Sequence, residues 1–183
     1  MRAAEIQNEL TEVLVTEEQI LAKLEEIAAR VAADYAGKNL LLVGVLKGAV
    51  MVMADFSRAL PTVVPMDWMA VSSYGAGTKS SGVVQIRKYL DEDLHGRDVL
   101  IVEDIIDSGL TLSWLLENFQ SRGAASVEVF ALLRKPDAAK VQVDCRYVGF
   151  DIPNEFVVGY GLDYAEKYRN LRDVAILAPH IYA

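Results

Sequence analysis

Residues 99–111 read VLIVEDIIDSGLT, and this stretch decides the fold. The four apolar residues Val99 to Val102 have the unbroken hydrophobicity of a parallel strand buried on both faces. Two carboxylates follow, Glu103 and Asp104, then Ile105, Ile106 and a third carboxylate, Asp107. Ser108, Gly109, Leu110 and Thr111 make a turn of mostly small residues, after which Leu112, Leu115, Leu116 and Phe119 recur at helical spacing. A strand that feeds such a turn and then a helix aims backbone N–H groups and the positive end of the helix dipole at an anion. The hydroxyls of Ser108 and Thr111 add donors, so the turn suits one phosphate. The nearby carboxylates would repel a second phosphate, but they can accept hydrogen bonds from vicinal hydroxyls or hold Mg²⁺. A sugar phosphate meets both conditions. A plain helix start needs fewer acids and small residues than stand here in register.

Outward from this stretch, strands and helices alternate. Thr16 and Gln19 form a capping box ahead of Ile20, Leu24, Ile27 and Val31 on one helical face, and Gly37 ends that helix. Residues 39–46, NLLLVGVL, read as a second buried strand. Lys47-Gly48-Ala49 follows, then an apolar helix that Pro61 stops. Residues 64–72 and 83–90 read as two more strands. Between them lies a polar, glycine-rich loop beginning at Ser73 and Tyr74, long enough to act as a lid over a water-sensitive reaction. Gly123 closes the helix after the central turn, residues 126–133 read as a strand, and residues 173–177 as a last short one. Residues 1–15 give no clear signal and read as a short arm. The expected class is α/β, with a mainly parallel sheet flanked by helices.

With 183 residues, 52% of them hydrophobic, one domain with a substantial core is expected. Eighteen basic against 26 acidic residues leave a net charge of −8, which argues against non-specific binding to nucleic acid or an acidic membrane surface. Cys145 is the only cysteine, no apolar run approaches membrane-spanning length, and the N-terminus lacks a signal core. A reducing, cytoplasmic setting is expected. His95 and His180 are isolated and share no metal-ligand spacing.

Two acids between hydrophobic pairs, then Asp-Ser-Gly-x-Thr, resemble the phosphoribosyl-pyrophosphate signature of the type I phosphoribosyltransferases. Three further segments extend the resemblance to the hypoxanthine-guanine members. They are Leu46-Lys47-Gly48, the Ser73-Tyr74 loop start, and residues 156–169 with Phe156-Val157, Leu162-Asp163 and Arg169. By their residues alone, Lys47 is equally a solvated turn lysine, Lys135 reads as ordinary surface charge, and Phe156 as a core side chain.

The resemblance implies a type I phosphoribosyltransferase fold spanning 1–183 as a single domain. Its core would run over about 37–150, with a small hood over the base from the C-terminal region and some N-terminal help. It implies transfer of 5-phosphoribosyl from phosphoribosyl pyrophosphate to N9 of hypoxanthine or guanine. Glu103, Asp104, Ile105, Ile106, Asp107, Ser108, Gly109, Leu110 and Thr111 would hold the phosphoribosyl group, and Asp107 would serve as the catalytic acid or base. Lys47, Gly48 and Arg169 would bind pyrophosphate, with the Leu46–Lys47 peptide cis. Lys135, Phe156, Val157 and Asp163 would bind the purine, Ser73 and Tyr74 would open the lid, and Glu103, Asp104 and Asp163 would attend Mg²⁺. A homodimer or homotetramer without membrane or nucleic-acid partners is implied. A xanthine-preferring enzyme and a non-catalytic, nucleic-acid-binding regulator of the same fold are the alternatives.

Overall fold

The structure, a computed structural model, describes residues 1–73 and 84–182. Six strands form the main sheet: β2 (Leu40–Leu46), β3 (Met66–Ser73), β4 (Val84–Lys88), β5 (Asp98–Ile106), β6 (Ser126–Arg134) and β7 (Tyr147–Asp151), in the order β4-β3-β2-β5-β6-β7. All neighbours are parallel except β4, which returns antiparallel along β3. Three helices cover the sheet: α1 (Glu17–Asp34), α2 (Val50–Ala59) and α3 (Leu110–Ser121).

The central strand runs on through Glu103 and Asp104 to Ile106, four residues past the apolar run. Pairing with β6 carries it there, Ile105 lying opposite Leu133 and Ile106 opposite Arg134. Glu103 and Asp104 therefore point to opposite faces of the sheet. The two faces are packed separately. On one, Ile20, Leu24, Ile27 and Val31 of α1 and Val52, Met53 and Phe56 of α2 meet Leu42, Leu100, Val102 and Phe130, with the Phe56 and Phe130 rings 4.8 Å apart. On the other, Leu112, Leu115 and Phe119 of α3 cover Leu41, Val43, Ile101 and Val129. The α1 start is capped as its sequence indicates: Thr16 accepts from the Gln19 N–H while Gln19 accepts from the Thr16 N–H.

Residues 1–15 are more than an arm. Leu10–Val15 forms β1, which pairs antiparallel with β9 (Val174–Leu177), and β9 pairs antiparallel with β8 (Val157–Val158). The six-residue LTEVLV is too short and too mixed for its alternation to stand out, and only its distant partner makes it a strand. This three-stranded hood sits on the α1–α2 side, where Val15, Val157, Tyr160 and Val174 join the buried cluster. The Tyr160 hydroxyl donates to Asp55 of α2 at 2.6 Å, tying the hood to the core. Ser73 ends β3, whereas Tyr74 and the rest of the expected lid lie outside the described residues. No helix among the described residues is long and apolar enough to cross a membrane.

Candidate active site

Parallel strands place their carboxyl ends at one edge of the sheet, and the functional residues gather there. After β5 the chain turns through Asp107 and Ser108 into Gly109, whose φ of 79° sets the entry to α3. Among the described residues no side chain caps the first N–H groups of α3, so these donors stay available. A cavity of about 120 Å³ opens above them, lined by Glu103, Ile105, Ile106, Asp107, Ser108, Gly109, Thr111 and Leu112. The loop after β6 holds the turn from outside: the Lys140 and Val141 N–H groups donate to the Ser108 carbonyl at 3.0 and 3.2 Å. Lys135, buried at the end of β6, brings its Nζ to 3.9 Å from the half-exposed Asp107 carboxylate.

Both acids of the strand are electrostatically costly. Burial pushes the Glu103 carboxyl well above its ordinary range, and the Asp104 charge adds to the rise. Burial likewise pushes Asp104 up to about 6; the Ile105 N–H, donating at 2.8 Å, and the Arg169 charge oppose the rise, and the Asp163 charge adds to it. Such carboxyls gain from any ligand that brings hydroxyl donors or a cation.

Asp104 faces the second cluster. The Leu46–Lys47 peptide is cis, and the chain there passes so close that a Cβ on Gly48 would overlap the Asp104 carboxylate. Opposite stands the hood loop. A Cβ on Gly161 would overlap the Gly48 carbonyl, so the two turns meet backbone to backbone. Arg169 fixes the loop: its Nη1 donates to the Gly161 carbonyl at 2.7 Å, its own carbonyl accepts from the Gly161 N–H at 3.0 Å, and its Nη2 lies 2.8 Å from Asp163. Among the described residues, the Arg169 Nε is buried without a hydrogen-bond partner.

The expected residues thus fall into two adjoining groups, one of Glu103 and 105–111 with Lys135, the other of Lys47, Gly48, Asp104, Asp163 and Arg169. Among the described residues no three acidic, histidine or cysteine side chains gather in a metal-binding arrangement. Glu103, Asp104 and Asp163 therefore do not form one cage, because strand alternation turns Glu103 away from the other two.

The remaining expected residues lie in the hood. Phe156 is half-buried rather than a core residue, with its ring centroid 5.1 Å from Tyr182 and 5.9 Å from Tyr164. Val157 is buried opposite Ile176, on the edge strand of the hood, where one side of the backbone has no ladder partner. Sequence reasoning missed Tyr164, Tyr182, Gly161 and Glu166. Glu166 stands 2.9 Å from Lys47 and 3.4 Å from Arg169. The Asp163, Glu166, Arg169 spacing of three residues hints at mutual contact, yet these residues lie in a loop rather than a helix.

A sheet with a phosphate-sized turn at its carboxyl edge and a hood beside it defines a class, and the sequence comparison agrees. Residues 11–165 match the model of the phosphoribosyl transferase domain, and the chain belongs to that family. Among curated relatives it is similar to the hypoxanthine-guanine phosphoribosyltransferase of Mycobacterium tuberculosis, 54% identical over 180 residues, covering 95% of this chain and 89% of that one. The Streptococcus agalactiae enzyme of the same name is 52% identical over 178 residues, covering 97% and 99%. A hypoxanthine phosphoribosyltransferase crystal structure from Staphylococcus aureus superposes with a TM-score of 0.94 at 47% identity, covering 98% of this chain and 97% of that one.

Proposed function

We propose that this chain is a purine salvage enzyme, a hypoxanthine/guanine phosphoribosyltransferase that forms IMP or GMP and releases pyrophosphate. The observation that carries the reading is the cavity above the α3 N-terminus, bounded by carboxylates that suit ribose hydroxyls and by N–H donors that suit a 5′-phosphate. Residues 107–111 hold that phosphate. Glu103 and Asp104 take the ribose side, where hydroxyl donors relieve their buried charge. Lys47, the Gly48 backbone and Arg169 bind the pyrophosphate. Phe156 stacks the purine, the edge backbone of Val157 reads it, and Lys135 donates to its 6-oxygen.

In the reaction, N9 displaces pyrophosphate at the anomeric carbon with inversion, as positive charge grows on the ribosyl ring. Lys47 and Arg169 stabilise the departing negative charge. Asp107 exchanges a proton with N7, and the Lys135 Nζ stands 3.9 Å from its carboxylate. Mg²⁺ characteristically binds through one or two carboxylates together with substrate phosphates; Asp104 and Asp163 would offer those hard oxygens. When bound, the ion neutralises charge on the leaving group. The two sheets act as one catalytic domain in a cytoplasmic homodimer or homotetramer.

A spectrophotometric assay with phosphoribosyl pyrophosphate, Mg²⁺ and five bases in parallel tests the reading. Turnover of hypoxanthine and guanine, without adenine or orotate, supports it. Xanthine as the preferred base would shift the assignment, and turnover of no base would end it.

A further inference from the structure

Glu166 occupies the space between the two cations assigned to pyrophosphate. Its carboxylate is split between them, Oε2 at 2.9 Å from Lys47 Nζ and Oε1 at 3.4 Å from Arg169 Nη2. The turn that carries it is preformed. Tyr164 and Lys167 exchange backbone hydrogen bonds at 3.2 and 3.0 Å, and the Glu166 N–H donates to Asp163 at 2.9 Å. Ala165 and Glu166 both take positive φ, 50° and 64°, a conformation that non-glycine residues seldom adopt without a local reason. The result is a carboxylate held where an anionic ligand of Lys47 and Arg169 would sit.

We infer that Glu166 is an internal counter-ion that occupies the pyrophosphate site between Lys47 and Arg169 and is displaced when pyrophosphate arrives. The charge balance favours displacement. Side-chain exposures of 66% for Lys47 and 64% for Glu166 make their ion pair a weak one. Pyrophosphate carries more negative charge and more acceptor oxygens than one carboxylate. The same contact returns as pyrophosphate leaves, so Glu166 competes with the product for its own binding groups.

This inference rests on the pyrophosphate assignment of Lys47 and Arg169. The test is calorimetric titration of the whole protein with magnesium pyrophosphate, in wild type, E166Q, K47M and the double variant, alongside steady-state kinetics. Removing a competitor worth no more than an exposed ion pair is expected to lower the E166Q dissociation constant by about 2- to 5-fold. The KM for phosphoribosyl pyrophosphate should fall in step while that for hypoxanthine stays put, and the E166Q effect should shrink in the K47M background. A merely structural residue would move neither the KM split nor the coupling. Unchanged or weaker pyrophosphate binding by a well-folded E166Q, in a protein that turns over hypoxanthine, overturns the inference alone. Wild type that neither binds pyrophosphate nor turns over a base overturns the site assignment beneath it.

Discussion

Gly161→Ala tests whether the backbone contact between hood and core sets the rate. The residue has φ of 102°, and an added methyl would overlap the Gly48 carbonyl, which is main chain and cannot rotate aside. Two costs follow. Holding alanine in that conformation costs about 1–3 kcal/mol, and each kcal/mol lowers Tm by about 2–4 °C in a chain of this size. Relief of the overlap needs the two turns to part by roughly 1 Å, a displacement that can cost about 10²-fold when it misplaces binding groups. Arg169 bonds Gly161 through both side chain and main chain, so it must travel with the hood while Lys47 stays with the core. The assay is kcat/KM for phosphoribosyl pyrophosphate and for hypoxanthine, taken well below the variant's own Tm. The loss should fall chiefly on phosphoribosyl pyrophosphate. A variant with lowered Tm but kcat/KM within about 3-fold of wild type would refute the reasoning, since the contact would then serve stability alone.

Asp107→Asn is expected to lower kcat by about 10² or more, the usual range for a general acid or base, and near-normal turnover would sink that role. Phe156→Ala should raise the KM for purine with a smaller effect on that for phosphoribosyl pyrophosphate; loss of folding instead would mark Phe156 as a packing residue. Asp104→Asn should stabilise the metal-free protein at neutral pH while abolishing most activity. With its carboxyl raised to about 6, the folded state binds more protons than the unfolded state between pH about 3.8 and about 6. The stability contributed by this group is thus full below that window and falls as pH rises through it, by up to about 3 kcal/mol. Chemical denaturation with chelator at pH 4.5 and 7.5 checks this, and an equal pH slope in Asp104→Asn and wild type would contradict it.

The turn between β5 and α3 was legible because its determinants are local. A buried strand, small residues and a helical repeat lie within about twenty positions, and each follows from short-range backbone rules. The Thr16–Gln19 cap was legible for the same reason. The split of Glu103 from Asp104 was hidden by ending the strand at the last apolar residue, whereas pairing with β6 extends it. β1 was hidden because its partner lies at the other end of the chain. Glu166 was hidden more deeply: nothing in DYAEKYRN marks Ala165 and Glu166 for positive φ, and their turn is set by the Tyr164–Lys167 pairing and Asp163. Phe156 lay between these cases, since an aromatic residue in an apolar run reads as core until the neighbouring Tyr164 and Tyr182 rings are placed.

The hood joins the first strand of the chain to the last, and this imposes an order on synthesis. β1 leaves the ribosome before the ladder partner it needs, β9, which is made more than 150 residues later, and the Met1 carbonyl also waits to accept from the Arg172 N–H. The sheet from β2 to β6 can assemble behind it, since domains form from the N-terminus as they emerge and nearby contacts form first. A nascent chain therefore has the turn between β5 and α3 before it has the hood. Until β9 arrives, β1 is an unpaired strand with four apolar residues among its six, a segment that gains from protection while it is being made.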